Sequence, residues 1–123
     1  MSEPLYSYDE LSDTLSIAFT IGEHATGIEL TDHILLRLNT RDRRAIGITL
    51  LDYSLLTQTT EVGQKSYPLT GFDDLTEETR ALVIDILRQP PVNEILVLSA
   101  YTPAINQTIP IIAIHPIAIS QSS

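Results

Sequence analysis

Thr14-Leu15-Ser16-Ile17-Ala18-Phe19-Thr20 puts Leu15, Ile17 and Phe19 on one side of the chain and Thr14, Ser16, Ala18 and Thr20 on the other. A period of two is the mark of a strand with one buried face, because successive side chains leave opposite sides of the pleat. The pattern recurs in both directions along the chain. Upstream, residues 5–10 (Leu-Tyr-Ser-Tyr-Asp-Glu) form a shorter strand. Downstream, Gly22-Glu23 opens a connection, residues 26–30 (Thr-Gly-Ile-Glu-Leu) alternate again, and Thr31-Asp32 supplies turn chemistry. Residues 33–39 follow with Ile34, Leu36 and Leu38 on one face. The polar run from Asn39 to Arg44 closes a hairpin onto residues 45–51, where Ile46, Ile48 and Leu50 share a face. Gly47 falls on the other face, where a neighbouring backbone or side chain comes close. Five short strands with short connections predict an antiparallel β-meander with one apolar face.

Residues 57–72 are polar, carry Gly63, Pro68 and Gly71, and read as a long loop. A helix is predicted over residues 76–89. Thr76 is its N-cap, and Glu77 and Glu78 sit at the positive end of the helix dipole. Leu82, Val83, Ile86 and Leu87 make one apolar stripe, and Pro90-Pro91 stops the helix. The stripe needs a cover, and the apolar face of the meander provides one.

Residues 95–119 are extended. Seven isoleucines fall between positions 105 and 119, broken by Pro103, Pro110 and Pro116. Proline has no N–H for a ladder, so this segment is expected at a sheet edge or as an arm across another surface. Burying one isoleucine is worth about 1.5–3 kcal/mol, so the segment packs on its own domain or on a second copy. Ile109, Ile111, Ile112, Ile114, Ile117 and Ile119 are therefore the candidate interface residues. The fold class is α+β in one domain over residues 1–123: the meander, a helix on one sheet face, and extra C-terminal strands.

Composition narrows the function. The chain has 123 residues and is 43% hydrophobic, enough for a core without staples. It has no cysteine, which excludes disulfides and thiolate chemistry. Met1-Ser2-Glu3-Pro4 has neither the basic nor the apolar stretch of a secretory signal, and the expected location is cytoplasmic. No run approaches the roughly 20 apolar residues of a membrane span, so no membrane partner is expected. Seven basic residues against sixteen acidic give a net charge of −9, which argues against nucleic acid, since that binding draws on lysine and arginine. Arg41, Arg43 and Arg44 are the one basic cluster, read as a solvated turn or as a contact for an anion or an acidic partner.

Asp9, Glu10 and Asp13 flank the first turn. Paired carboxylates serve acid–base chemistry or hold a hard cation, and aspartate is also a turn former. Tyr6 and Tyr8 share a strand face and offer contact area with polar tips. Asp52 closes the last strand of the meander. Tyr6, Tyr8, Asp9, Asp13 and Asp52 are therefore the candidate binding residues. His24, His33 and His115 show no metal-ligand spacing, and no phosphate loop, dinucleotide glycine pattern or nucleophile elbow occurs. No catalytic residue, metal or cofactor is assigned.

Tyr8-Asp9, Asp13, Leu15 and Ile17, then Gly27-Ile28-Glu29-Leu30, Leu36, Asn39 and Asp42, and finally Ile46-Gly47-Ile48-Thr49-Leu50-Leu51-Asp52-Tyr53-Ser54 make residues 6–54 resemble a bacterial family. It is domain-of-unknown-function family 2283, whose pattern is Y-D-x-x-x-D-x-L-x-I, a hairpin, and G-I-E-I-L-x-A-S. The chain departs from it with Thr49 where glutamate is usual and Tyr53 where alanine is usual. The resemblance implies a small β-meander and no established activity. Some relatives of this type lie beside toxin-like neighbours, so one alternative is an antitoxin-like protein that binds a small basic partner. The leading expectation is a non-enzymatic binding or assembly module that self-associates through its isoleucine-rich arm. The other alternative is a small metal-dependent hydrolase using Asp9, Asp13 and a histidine.

Overall fold

The computed structural model describes residues 4–57, 59–60, 63–64, 66–104 and 107–114. It is α+β, with a five-stranded and a three-stranded antiparallel sheet and one main helix. The first sheet contains β1 (Leu5–Asp9), β2 (Thr14–Ala18), β3 (Thr26–Thr31), β4 (Ile34–Asn39) and β5 (Arg44–Leu50). Its order is β1-β2-β5-β4-β3. Strands β3, β4 and β5 form the meander, and the β1–β2 hairpin joins its free side through β2 and β5.

Register explains the alternation. Leu15 pairs with Leu50 and Ile17 with Ile48, while Ile34 and Leu36 face the same two β5 residues from the other side. All six are at most 1% exposed. Strand β5 carries one irregularity, although Ile46 is buried as expected. The ladder shifts between Arg37 and Leu38, so Ala45 pairs with Leu38 and Ile46 is the extra, bulged residue. Ala45 takes the core position there. The Ile46 carbonyl accepts from both Phe19 N (2.8 Å) and Thr20 N (3.3 Å), which fastens the end of β2 to the bulge. Gly47 is tight as its pattern requires. A Cβ on it would stand 2.7 Å from Ile17 O and 2.8 Å from an Arg37 guanidinium nitrogen.

After β5 comes a single helical turn, α1 (Tyr53–Leu56). The segment expected as a loop over 57–72 is more structured than its composition suggests. It holds a two-residue ladder, β6 (Thr59–Thr60) with β7 (Gly63–Gln64), then β8 (Ser66–Pro68), then a 3-10 turn over Thr70–Asp74. Helix α2 (Glu77–Leu87) starts where expected: the Thr76 side chain accepts from Thr79 N at 3.1 Å. Its residues Leu82, Val83, Ile86 and Leu87 are buried in the same core as the apolar face of the first sheet.

The second sheet has the order β8-β10-β9, with β9 at Leu96–Ala104 and β10 at Gln107–Ile114. The expectation that the proline-broken tail stays at an edge is overturned, because β10 is the central strand. The geometry at Pro110 shows why this is tolerated. In an antiparallel ladder a residue's N and carbonyl point to the same side. The Pro110 carbonyl accepts from Leu69 N (3.1 Å), on the β8 side and past the end of β8, whose last pair is Ile111 with Pro68. The missing N–H therefore faces beyond a short strand, and the β9 ladder loses no donor. Among the described residues no helix is long and apolar enough to cross a membrane.

Candidate functional site

Three turns meet at one end of the five-stranded sheet, and the candidate polar residues gather there. Asp13 ends the β1–β2 turn with φ 52°, and Asp52 precedes α1 with φ 53°. Aspartate tolerates this left-handed conformation better than most residues because its short side chain bonds locally. The Asp13 carbonyl accepts from Tyr53 N at 2.8 Å. Its carboxylate accepts from the Tyr8 hydroxyl (2.6 Å), from Ser54 N (3.0 Å to Oδ2) and from the Ser54 hydroxyl (2.9 Å). Tyr8 and Tyr53 stack edge to face with centroids 6.1 Å apart. The carboxylate is thus a clasp between residues 41 positions apart in sequence.

These bonds set the electrostatics. The Tyr8 hydroxyl, then Ser54, hold the Asp13 carboxyl below its ordinary value, because both stabilise the ionised form. The same bond holds the Tyr8 phenol above its ordinary value. At this end His33 Nδ1 also lies 3.2 Å from Asp52 Oδ2, with both side chains partly exposed.

Tyr8, Asp13 and Asp52 are thus brought to one end of the sheet. Tyr6 shares a face with Tyr8 and is 46% exposed. Asp9 points to the opposite face and accepts from Leu11 N (3.0 Å), a turn-forming bond of its own. Asp13 is committed to three donors, and the Ser54 hydroxyl donates into it. Among the described residues no three histidine, aspartate or glutamate side chains cluster as metal ligands. The Asp13 bonds hold the β1–β2 turn against the start of α1. His115 lies outside the described residues. The His33–Asp52 contact was invisible in the sequence, since 19 positions separate the partners and neither stands in a motif.

At the other end of the sheet, Asn39 organises the hairpin loop by accepting from Arg41 N and Asp42 N, both at 3.0 Å. Arg44 is paired with Glu23 and donates to Thr20. That pair holds the Glu23 carboxyl below its ordinary value. Arg41 and His24 line an open cavity of about 270 Å³ with Thr26, Leu38, Asn39 and Thr40. A second cavity, about 280 Å³, lies between β3 and the 3-10 turn and is lined by Glu29, Asp32 and Asp74 among others.

The isoleucine-rich strand divides its side chains between two faces. Ile112 and Ile114 are 0% and 2% exposed and belong to the core of their own chain, opposite Leu98 and Leu96. That corrects their assignment as interface residues: the alternation of β10 points them inward. Ile109, Ile111 and Ala113 take the outer face and are half-buried. Val97, opposite Ala113, is 39% exposed. Ile117 and Ile119 lie outside the described residues.

No family model matches the chain, and no curated protein and no solved structure is significantly similar to it.

Proposed function

We propose that this protein is a non-catalytic assembly module that pairs with a second copy of itself through the outer face of the three-stranded sheet. One observation carries the reading. Ser66, Pro68, Val97, Ser99, Ile109, Ile111 and Ala113 occupy that face by register, and none of them carries a charge. Two copies at −9 each repel across most of their surfaces. A neutral, largely apolar sheet face is where they approach at least cost and remove apolar area from water. Strand β9 adds to this, because it is an edge with nine residues and pairs on one side only among the described residues.

Sedimentation velocity on the full chain tests the reading. The expected result is a concentration-dependent dimer for the natural sequence and a monomer with an unchanged circular-dichroism spectrum for Val97→Lys and Ile111→Lys. Lysine lowers the net negative charge, so added repulsion does not explain a monomeric variant. A natural chain that stays monomeric throughout the micromolar range, or lysine variants that stay dimeric, would overturn the proposal.

A further inference from the structure

We propose that the outer face of the five-stranded sheet holds an oxyanion position centred on Arg37, taking a carboxylate or a phosphate group. Arg37 sits on β4, on the face opposite the core, and glycine is its cross-strand partner on both sides: Gly27 on β3 and Gly47 on β5. The guanidinium lies over Gly47, with one terminal nitrogen 2.8 Å and Cζ 3.4 Å from where a Cβ would stand. Leu35, two residues earlier on the same face, leans the other way over Gly27. Across Gly47 the next side chain is Ala18. The head group therefore rests on a floor of small residues between two strands.

Its bonding is incomplete. Arg37 Nε is buried and has no hydrogen-bond partner. Among the described residues no carboxylate pairs with the guanidinium, although Glu29 lies on the same face. Arg44 and Arg80 differ, while Arg41, Arg43 and Arg88 are exposed. Arg44 is bound by Glu23, and Arg80 Nε donates to Phe72 O at 2.8 Å. A half-buried guanidinium with neither a carboxylate nor a partner for its buried Nε carries an uncompensated desolvation cost. The planar guanidinium matches the edge of an oxyanion in a two-point fork. An anion that draws the head group slightly off Gly47 also lets the Nε–H bond. The free protein holds that donor unsatisfied, so the movement sacrifices little.

The test follows the Arg37 Nε–Hε resonance of the full chain during titration with sodium acetate and, separately, with inorganic phosphate, at ionic strength held constant with chloride. The signal is assigned by its loss in Arg37→Lys. A saturable shift of this signal, with the Gly47 and Ala18 amides moving in step, is the expected result. Saturation by acetate alone identifies a carboxylate ligand, by phosphate alone a phosphoryl ligand, and by both a general oxyanion position. Arg37→Lys and Arg37→Gln should abolish the saturable movement of the Gly47 amide, and Arg41→Gln should leave it intact. No shift, or a linear drift shared with the Arg41 and Arg43 signals, would overturn the proposal. Neither outcome bears on dimer formation, which uses the other sheet.

Discussion

The Tyr8 hydroxyl donates a 2.6 Å hydrogen bond to Asp13 Oδ1, and Ser54 closes the same carboxylate from the far end of the meander. Tyr8 belongs to an edge strand whose side chains are mostly exposed, so little apolar burial holds it in place. The clasp supplies order where packing is thin.

This clasp makes stability depend on pH at both extremes. The Asp13 carboxyl titrates lower in the folded chain than in the unfolded one. Its contribution is therefore full above the ordinary carboxylate value and is lost as pH falls through the lowered folded value. The Tyr8 phenol titrates higher when folded, so its contribution is full below the ordinary tyrosine value and is lost as pH rises through the raised one. Thermal midpoints measured across pH should fall on both sides. Asp13→Asn should lower the neutral-pH midpoint and flatten the acid limb, and Tyr8→Phe should flatten the alkaline limb. Glu23, lowered by Arg44, adds to the acid limb, and Glu23→Gln separates that share. An acid limb unchanged in Asp13→Asn would refute the clasp.

Gly71 should resist any substitution. A Cβ there would lie 1.7 Å from the Glu29 carbonyl oxygen, a backbone atom that has no rotamer to yield. Gly71→Ala must push the 3-10 turn off β3, with a cost at the upper end of the roughly 1–3 kcal/mol range for overpacking. Gly27→Ala is the control. Its Cβ would meet only a Leu35 methyl at 3.5 Å, an ordinary contact, so urea unfolding should show little loss.

The same contrast shows what the sequence could express. The alternation from Leu15 to Leu50 reveals a sheet because each residue reports its own face, and a single Gly47 reports a close neighbour. The helix is legible because Thr76 and the Leu82–Leu87 stripe are local signals. Strand β8 is not, since three residues, one of them Pro68, carry too little pattern to separate from a loop. Nor is the bulge at Ile46, because one inserted residue leaves the apolar run intact while changing which side chain meets Leu38. The central place of β10 depends on where β8 ends relative to Pro110. The site is less legible still. Asp13 could be read as a turn, but Ser54 reaches it only through the pairing of β2 with β5, which periodicity does not specify.

Helix α2 should depend on its cap in a graded way. Thr76 accepts from Thr79 N and also bonds the Thr79 hydroxyl at 2.9 Å. Thr76→Ala should cost about 1 kcal/mol in chemical denaturation, and Thr76→Asp should retain most of the stability because its carboxylate bonds the same amide and favours the helix dipole. Equal losses in the two variants would show that the amide bond is not what matters.

Neighbouring isoleucines in β10 should behave as different kinds of residue. Ile112 is fully buried, and its side chain faces the core beside Leu98. Ile112→Ala removes buried methyl groups and leaves a cavity, so it should lose about 2–5 kcal/mol. Ile111 faces outward between Ser99 and Pro68. Ile111→Ala should cost well under half as much when unfolding is measured at protein concentrations low enough to keep subunits apart. At higher concentration its deficit should widen, because a dimer adds stability by mass action and Ile111 lies in the proposed contact. Ile112→Ala should instead show a deficit that concentration changes little. Reversed costs for the two variants would mean that β10 presents the opposite face to the core, and the outer surface would lose its apolar character with it.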